Sequence, residues 1–339
     1  MHRAKKGVLL VNLGTPAAPS RGAVYRYLKE FLLDGRVVDI PPLARNILVR
    51  GIIAPFRSGT SAKLYKKLWT EKGSPLKLFG VALTEKLSDK LGDDHEVVLA
   101  MRYQQPSIES GLKRLMQQRV REIIVIPLFP QYASATTGSV HQEVMRVLSK
   151  EQIIPSVKFV NSYPTHPKLI AAFVARGRQY DVEEYDHVLF SYHGLPKRQL
   201  RKADSCNHCF TIKNCCHSWT EKNHHCYSAQ CYATTQAIAK ELGLEKEEYT
   251  ICFQSRLGRD PWLEPYTSDI LKKRRARGDK KILVFCPAFV ADCLETKIEI
   301  SVEYAEEFEE MGGEHLQLVE GLNDHPLWID TVETLIHQA

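Results

Sequence analysis

The strongest constraint on this chain is an alternation of strand-type and helix-type patterns that is written twice. VLLVNLGTP (8–16) resembles VLFSYHGLP (188–196), and EIIVIPLFPQYASATT (122–137) resembles KILVFCPAFVADCLET (281–296), in the same order. Strand-type runs fall at Gly7–Gly14, Val97–Tyr103, Glu122–Pro130 and Val157–Tyr163. Four more follow at His187–Tyr192, Tyr249–Gln254, Lys281–Phe289 and His315–Glu320. Helical spacing of apolar residues fills the gaps near 21–33, 107–120, 137–149, 166–180, 228–242, 264–277 and 293–311, with a last helix at Pro326–His337. Apolar strands separated by helices imply parallel sheets covered on both faces. The expected fold is α/β: two similar Rossmann-like domains, each a four-stranded parallel sheet flanked by helices, related by a pseudo-two-fold axis across a cleft. The expected boundaries are 1–128 plus 325–339 for the first domain and 129–324 for the second. In such sheets ligands bind beyond the carboxyl ends of the strands.

Composition removes several function classes. At 339 residues the chain suits two domains with cores of ordinary size. Forty-six Lys+Arg against 40 Asp+Glu is a mild excess, with no basic stripe or module for nucleic acid. The densest basic run, Lys272–Arg277, reads as the solvated end of a helix. No apolar stretch approaches the ~20 residues that span a bilayer. No Walker motif or GxGxxG follows the first strand, so a nucleotide site is unsupported. The N-terminus, MHRAKKGVLLVNLG, enters its strand without a signal-peptide apolar region, and the thiols suit a reducing compartment, so a cytoplasmic location is expected. Residues 40–69 stand outside the alternation, mixing Leu, Ile, Phe and Trp with scattered Lys and Arg. They read either as a surface helix with one buried face or as an apolar lip over a hydrophobic ligand or a membrane interface.

Two clusters carry chemistry. A buried-type strand delivers Ser191-Tyr192-His193-Gly194 at its carboxyl end, where open α/β folds place catalytic groups. Just beyond it, six of the nine cysteines fall between Cys206 and Cys231: Cys206, Cys209, Cys215, Cys216, Cys226 and Cys231. Short spacings in a reducing compartment, with an odd total, point to a metal or iron–sulfur site rather than disulfides. The other cluster is acidic. Glu295, Glu299 and Glu303 recur every four residues, so they line one face of the helix after the seventh strand. Carboxylates there, with His193 at the equivalent place in the same domain, suit proton abstraction and divalent-cation delivery.

Six motifs resemble the ferrochelatase family in family order: MRY (101–103), PLFPQYASATTGS (127–139), FSYHGLP (190–196), FQSRLGRDPWLEP (253–265), DCLET (292–296) and GLNDHPLW (321–328). The resemblance covers nearly the whole chain. It implies a two-domain chelatase-type fold that inserts Fe²⁺ into protoporphyrin IX, with loss of two protons, to give protohaem. It also implies that His193 and Glu295 are the catalytic pair and handle the incoming metal, and that Glu299 and Glu303 continue a proton or metal path. Arg102, Tyr103, Tyr132 and Leu13 would contact substrate, and residues 40–69 would form the porphyrin lip with a peripheral contact at the inner face of the membrane. Leu13 stands where coproporphyrin-using relatives carry tyrosine, which favours protoporphyrin. The chain departs from the family at Cys293, where many members carry histidine, and at Ser134, where animal-type members carry a cluster cysteine. The insertion at about 204–231 instead resembles that of bacterial members with an internal 2Fe–2S cluster. Cys226 and Cys231 straddle the start of a helix and are taken as ligands with Cys209 and Cys216; Cys206 and Cys215 are spares. Zinc is the competing metal, with His208, His217, His224 and His225 as further donors. Two other functions fit the same residues: a porphyrin- or haem-binding chaperone, and a cobalt or nickel chelatase acting on a corrin-type precursor. The sequence does not fix the oligomeric state.

Overall fold

The computed structural model describes residues 5–258 and 260–339; the first four residues of the N-terminal stretch, and Arg259 within the FQSRLGRDPWLEP motif, lie outside the described residues. The chain divides into two compact units. In the first, β1 (Lys6–Gly14) is followed by α1 (Arg21–Leu33), α2 (Pro42–Ile47), α3 (Ala54–Leu68) and α4 (Pro75–Leu91). Then come β2 (His95–Tyr103), α5 (Ile108–Gln117), β3 (Glu122–Pro127), α6 (Ser139–Leu148) and β4 (Ser156–Phe159). The second unit contains α7 (Pro167–Gly177), β5 (His187–His193), α8 (Lys197–Ala203) and α9 (Tyr227–Leu242). It continues through β6 (Tyr249–Gln254), α10 (Thr267–Ala276), β7 (Lys281–Phe285), α11 (Ala305–Glu310) and β8 (His315–Leu318). A last helix, α12 (Pro326–Gln338), returns to the first unit from Ile329 onward, where Asp330 and Glu333 pair with Lys90 of α4.

Both sheets are wholly parallel and have the same strand order: β2-β1-β3-β4 and β6-β5-β7-β8. The repeated sequence is thus a repeated topology, with β1 matching β5 and β3 matching β7. Central strands are buried on both faces, so Val8–Val11 and Val188–Phe190 are continuous apolar runs instead of alternating ones. In the first core Leu9, Val11, Ile123 and Val125 meet Leu112 of α5 and Val144 of α6. In the second, Leu189, Ile282 and Val284 meet Leu271 of α10 and Phe308 of α11. Each such side chain contributes about 1.5–3 kcal/mol of burial.

Four features differ from the sequence reading. Residues 134–161 belong to the first unit, because β4 pairs with β3 from Glu122↔Ser156 to Val125↔Phe159. Helix α4 was not expected; Leu76, Gly80, Leu83 and Leu87 give it one buried face, and Gly80 lies against Leu99 of β2. Residues 42–68 are helical almost throughout, with a wide i→i+5 turn at Leu48–Ile53 between α2 and α3. That segment buries Val49, Ala54, Tyr65 and Leu68, yet leaves Leu43 76% and Phe56 77% exposed, beside Ile47 and Ile52. The helix expected at 293–311 opens with another wide stretch, Glu295–Tyr304, before α11. A wide turn also sits at the matching place after β3, at Ser134–Gly138.

The end of β2 is fixed by one carboxylate. Asp34, just past α1, accepts from Arg102 Nη2 (2.8 Å), Tyr103 OH (2.9 Å), the Arg36 backbone N–H (2.7 Å) and the Ser139 hydroxyl. Burial works to raise its pKa, but the Ser139 and Arg36 hydrogen bonds, the Arg102 charge and the Tyr103 hydroxyl together hold it below the ordinary 3.8. A depressed carboxylate adds stability above its unfolded pKa and loses it as pH falls through the folded value. Asp34→Asn should therefore lower unfolding stability at neutral pH by about 1–3 kcal/mol. In acid denaturation followed by circular dichroism, that deficit should close as pH falls below 3.8.

Candidate active site

β5 carries His193 to its last position, where the residue pairs with Gln254 at the end of β6. The His193 Nδ1 lies 2.6 Å from the Gly194 carbonyl, which only an N–H can satisfy, so Nε2 is the basic nitrogen of the neutral ring. Trp262 and Phe289 flank the ring, with centroids at 6.3 and 6.4 Å. Gly194 is required here: a Cβ would lie 2.9 Å from the Gln254 carbonyl and 3.1 Å from the Trp262 ring.

The acidic row lies on the wide helix after β7. Glu303 is exposed at its outer end, while Glu299 and Glu295 are half-buried. Glu299 is held from several sides. Oε1 accepts the Ser255 backbone N–H at 2.9 Å and lies 3.5 Å from Tyr304 OH; Oε2 accepts the Ser255 hydroxyl at 2.5 Å and Gln254 Nε2 at 3.1 Å. Gln254 also donates to the Glu295 carbonyl (3.0 Å), which ties the start of the wide helix to the end of β6. To present both its N–H and its hydroxyl, Ser255 adopts a positive φ of 63°, a conformation concentrated at functional sites. Burial raises the Glu299 pKa; the hydrogen bonds from Ser255 and Gln254 and the charge of His193 oppose the rise, and Glu295 adds to it. Two carboxylates and an imidazole are thus electrostatically linked. A buried acid with a raised pKa can take up and pass on a proton.

Cys293 is fully enclosed and its thiol contacts Glu295; burial, reinforced by that carboxylate, pushes its pKa well up. It is a neutral neighbour of the glutamate. Asp292 is fixed by Asn323, Thr296 and the Gly321 N–H, so it buttresses the loop that launches the helix.

The cysteine-rich insertion forms a thiol group around Cys226, the residue preceding α9. Cys209 and Cys216 both hydrogen-bond to the Cys226 sulfur, and these bonds lower its pKa. Cys215 Sγ lies 3.6 Å from Cys216 Sγ. Cys231, expected as a fourth ligand, is not in this group. It is fully buried in α9 with its thiol against Tyr227, and Cys215, expected as a spare, takes the place beside Cys216. Cys206 is exposed and next to Ser205. His217 stacks on Tyr232 and His224 on Trp219. Among the described residues, no three His, Cys, Asp or Glu side chains are arranged around a single metal ion.

The expected substrate residues have varied settings. Arg102 donates to Asp34 and Ser139, and Tyr103 is fully buried with its hydroxyl on Asp34. Leu13 is half-buried on β1, at the place His193 occupies on β5. The Tyr132 N–H donates to Gln230 Oε1 (2.7 Å), and its ring lies 5.8 Å from His225. Gln254, Ser255 and Tyr304 had no role in the sequence reading. The only signal for the first two was their place at a strand end inside a recognised motif.

The fold defines a chelatase-type α/β protein. The cobalt-bound sirohydrochlorin chelatase SirB from Bacillus subtilis subspecies spizizenii superposes with a TM-score of 0.54 over 98% of this chain and 94% of that one, at 12% identity, a likeness of fold alone. Sequence narrows the class. Residues 5–339 match the ferrochelatase family profile. A Legionella pneumophila (strain Lens) ferrochelatase is 43% identical over 98% of this chain and 99% of its own, and a Coxiella burnetii (strain CbuK_Q154) ferrochelatase is 44% identical over 99% and 94%. The chain belongs to the ferrochelatase family and is a metal-chelating lyase.

A carboxylate with a raised pKa favours the folded state most below its unfolded value, and that contribution is lost as pH rises through the folded value. In thermal melts from pH 4.5 upward, Glu299→Gln should therefore gain stability relative to the unsubstituted protein until the pH passes the raised folded value, and hold a constant difference above it. A pH-independent difference would mean that burial does not perturb Glu299.

Proposed function

We propose that the protein inserts Fe²⁺ into protoporphyrin IX, with His193 Nε2 accepting pyrrole protons and Glu295, Glu299 and Glu303 forming a carboxylate path to the surface. The observation that carries this is the junction at the ends of β5 and β6, where His193 pairs with Gln254 and Gln254 donates to the Glu299 carboxylate at 3.1 Å. The reaction exchanges two N–H protons for one divalent cation, so the same path can carry charge both ways with little net change in a buried site. Oxygen and imidazole donors suit this transfer because they release ferrous iron, whereas a thiolate would retain it. Cys293 meets that requirement by staying protonated.

The thiol group fits a two-iron, two-sulfur cluster better than zinc. A two-iron cluster does not need four donors around one point, and two of the neighbouring imidazoles, His217 and His224, are stacked on aromatic rings. Cys209, Cys215, Cys216 and Cys226 would hold it, and its bonds would order the loop between α8 and α9. The α2–α3 segment supports a peripheral membrane role: exposed Leu43, Ile47, Ile52 and Phe56 sit among exposed Arg50 and Arg57, and residues 40–70 contain no acid.

His193→Ala and Glu295→Gln should each lower kcat for iron insertion by about 10²–10⁴-fold without changing the far-ultraviolet circular dichroism. Near-normal turnover in either variant removes that residue from the mechanism. Stoichiometric porphyrin binding without turnover by the unsubstituted protein would favour a binding chaperone. Anaerobically purified protein should show broad visible absorption that dithionite bleaches. Cys215→Ser and Cys226→Ser should abolish it, and Cys231→Ser should retain it; the reverse pattern would restore Cys231 as a ligand.

A further inference from the structure

We propose that Tyr227 is a positioning residue for His193, and that through it the state of the thiol group reaches the catalytic strand. Tyr227 is buried, and its hydroxyl donates to the His193 backbone carbonyl at 2.9 Å. The sheet leaves that carbonyl unclaimed. The Gly194 N–H points toward β6, where it donates to the Gln254 carbonyl, so the preceding carbonyl points to the opposite edge of β5. On that edge β7 has already ended, since its pairing with β5 stops at Phe190↔Phe285. A buried acceptor without a partner would loosen the last residue of the strand, and Tyr227 supplies the partner. The His193 ring is itself held by the adjacent Gly194 carbonyl, so movement of this peptide re-aims Nε2.

Tyr227 directly follows Cys226, on which the thiols of Cys209 and Cys216 converge. The Cys231 thiol, one turn further on, lies against the Tyr227 hydroxyl. Other buried polar residues of α9 fasten it to the same region. Thr235 bonds Tyr192 OH (2.8 Å), Gln230 accepts the Tyr132 N–H (2.7 Å), and Thr234 accepts from Gln131 (3.0 Å). A change of geometry at Cys226 is therefore felt first at Tyr227 and the His193 carbonyl.

The proposal rests on the role of His193 given above, and the test separates the two. Tyr227→Phe keeps the ring and removes one hydroxyl; Thr235→Val removes another from the same helix without touching His193. Tyr227→Phe should lower kcat about ten-fold with KM for porphyrin changed less than about two-fold, because a misplaced group loses rate more than binding. Thr235→Val, which leaves the His193 carbonyl bonded, should lower kcat far less than Tyr227→Phe does. Nitrogen-15 NMR of the His193 imidazole should show a shifted Nδ1–H signal in Tyr227→Phe, and in the unsubstituted protein after chelator treatment of the thiol site. Unchanged signals in both would overturn the proposal whatever the activity of His193→Ala, as would an equal kcat loss in Thr235→Val. Should Tyr227→Phe fail to fold, the chelator comparison alone decides.

Discussion

The second unit depends on one buried carboxylate. Glu299 is charged enough to attract four donor groups and buried enough that its charge is unfavourable. It can occupy that position only because Gln254 and Ser255 supply donors fixed by the end of β6. Removing donors from a buried carboxylate leaves a desolvated charge, and removing the carboxylate leaves unpaired donors. The positive φ of Ser255 is the local strain that accompanies this arrangement. Other features of the site follow from it. Gln254 ties the wide helix to the sheet through the Glu295 carbonyl, and β6 in turn pairs with the strand that ends in His193.

The duplicated topology shows how one scaffold yields two kinds of strand end. β1 and β5 occupy matching central positions, and each is followed at once by Thr-Pro or Leu-Pro after a glycine. At Gly14 a Cβ would collide with the Tyr103 carbonyl, and at Gly194 with the Gln254 carbonyl, so the backbone closes on the neighbouring strand in both units. The residue just before the glycine differs: Leu13 in the first unit, His193 in the second. The wide turns after β3 and β7 repeat as well, but one begins with hydroxyl residues and the other with Glu295. Apolar and hydroxyl groups stand in one copy where the other has a base and an acid. Chemistry was placed on one half of a repeated frame without altering the frame.

The central strands were legible because buried parallel strands are contiguous apolar runs bounded by turn residues, a pattern that needs no tertiary information. His193 and Glu295 were legible because strand ends and motif order fix their places. Other features depend on choices that spacing does not encode. The wide helix at Glu295–Tyr304 keeps the four-residue rhythm of its acids, so the i→i+5 bonding leaves no mark in the pattern. The cysteines show the same limit from another side. Cys226 is the extended residue before α9 and Cys231 lies inside the helix, so nearness in sequence does not bring their thiols into one group. Cys215 meets Cys216 through the fold of the insertion, which has no periodicity to read. The unit to which residues 134–161 belong is not legible in the sequence, because β4 is short and half-exposed and only its pairing with β3 joins it to the first unit.

Under the proposed function, a carboxylate held by the end of β6 moves charge in step with metal insertion. Rapid mixing of Ser255→Ala with porphyrin and Fe²⁺, following the porphyrin spectrum and a pH indicator together, tests it most directly. Proton release and insertion should slow together by about ten-fold or more while porphyrin affinity is unchanged. Release and insertion at the unsubstituted rate, with Glu299 deprived of the Ser255 hydroxyl, would contradict it.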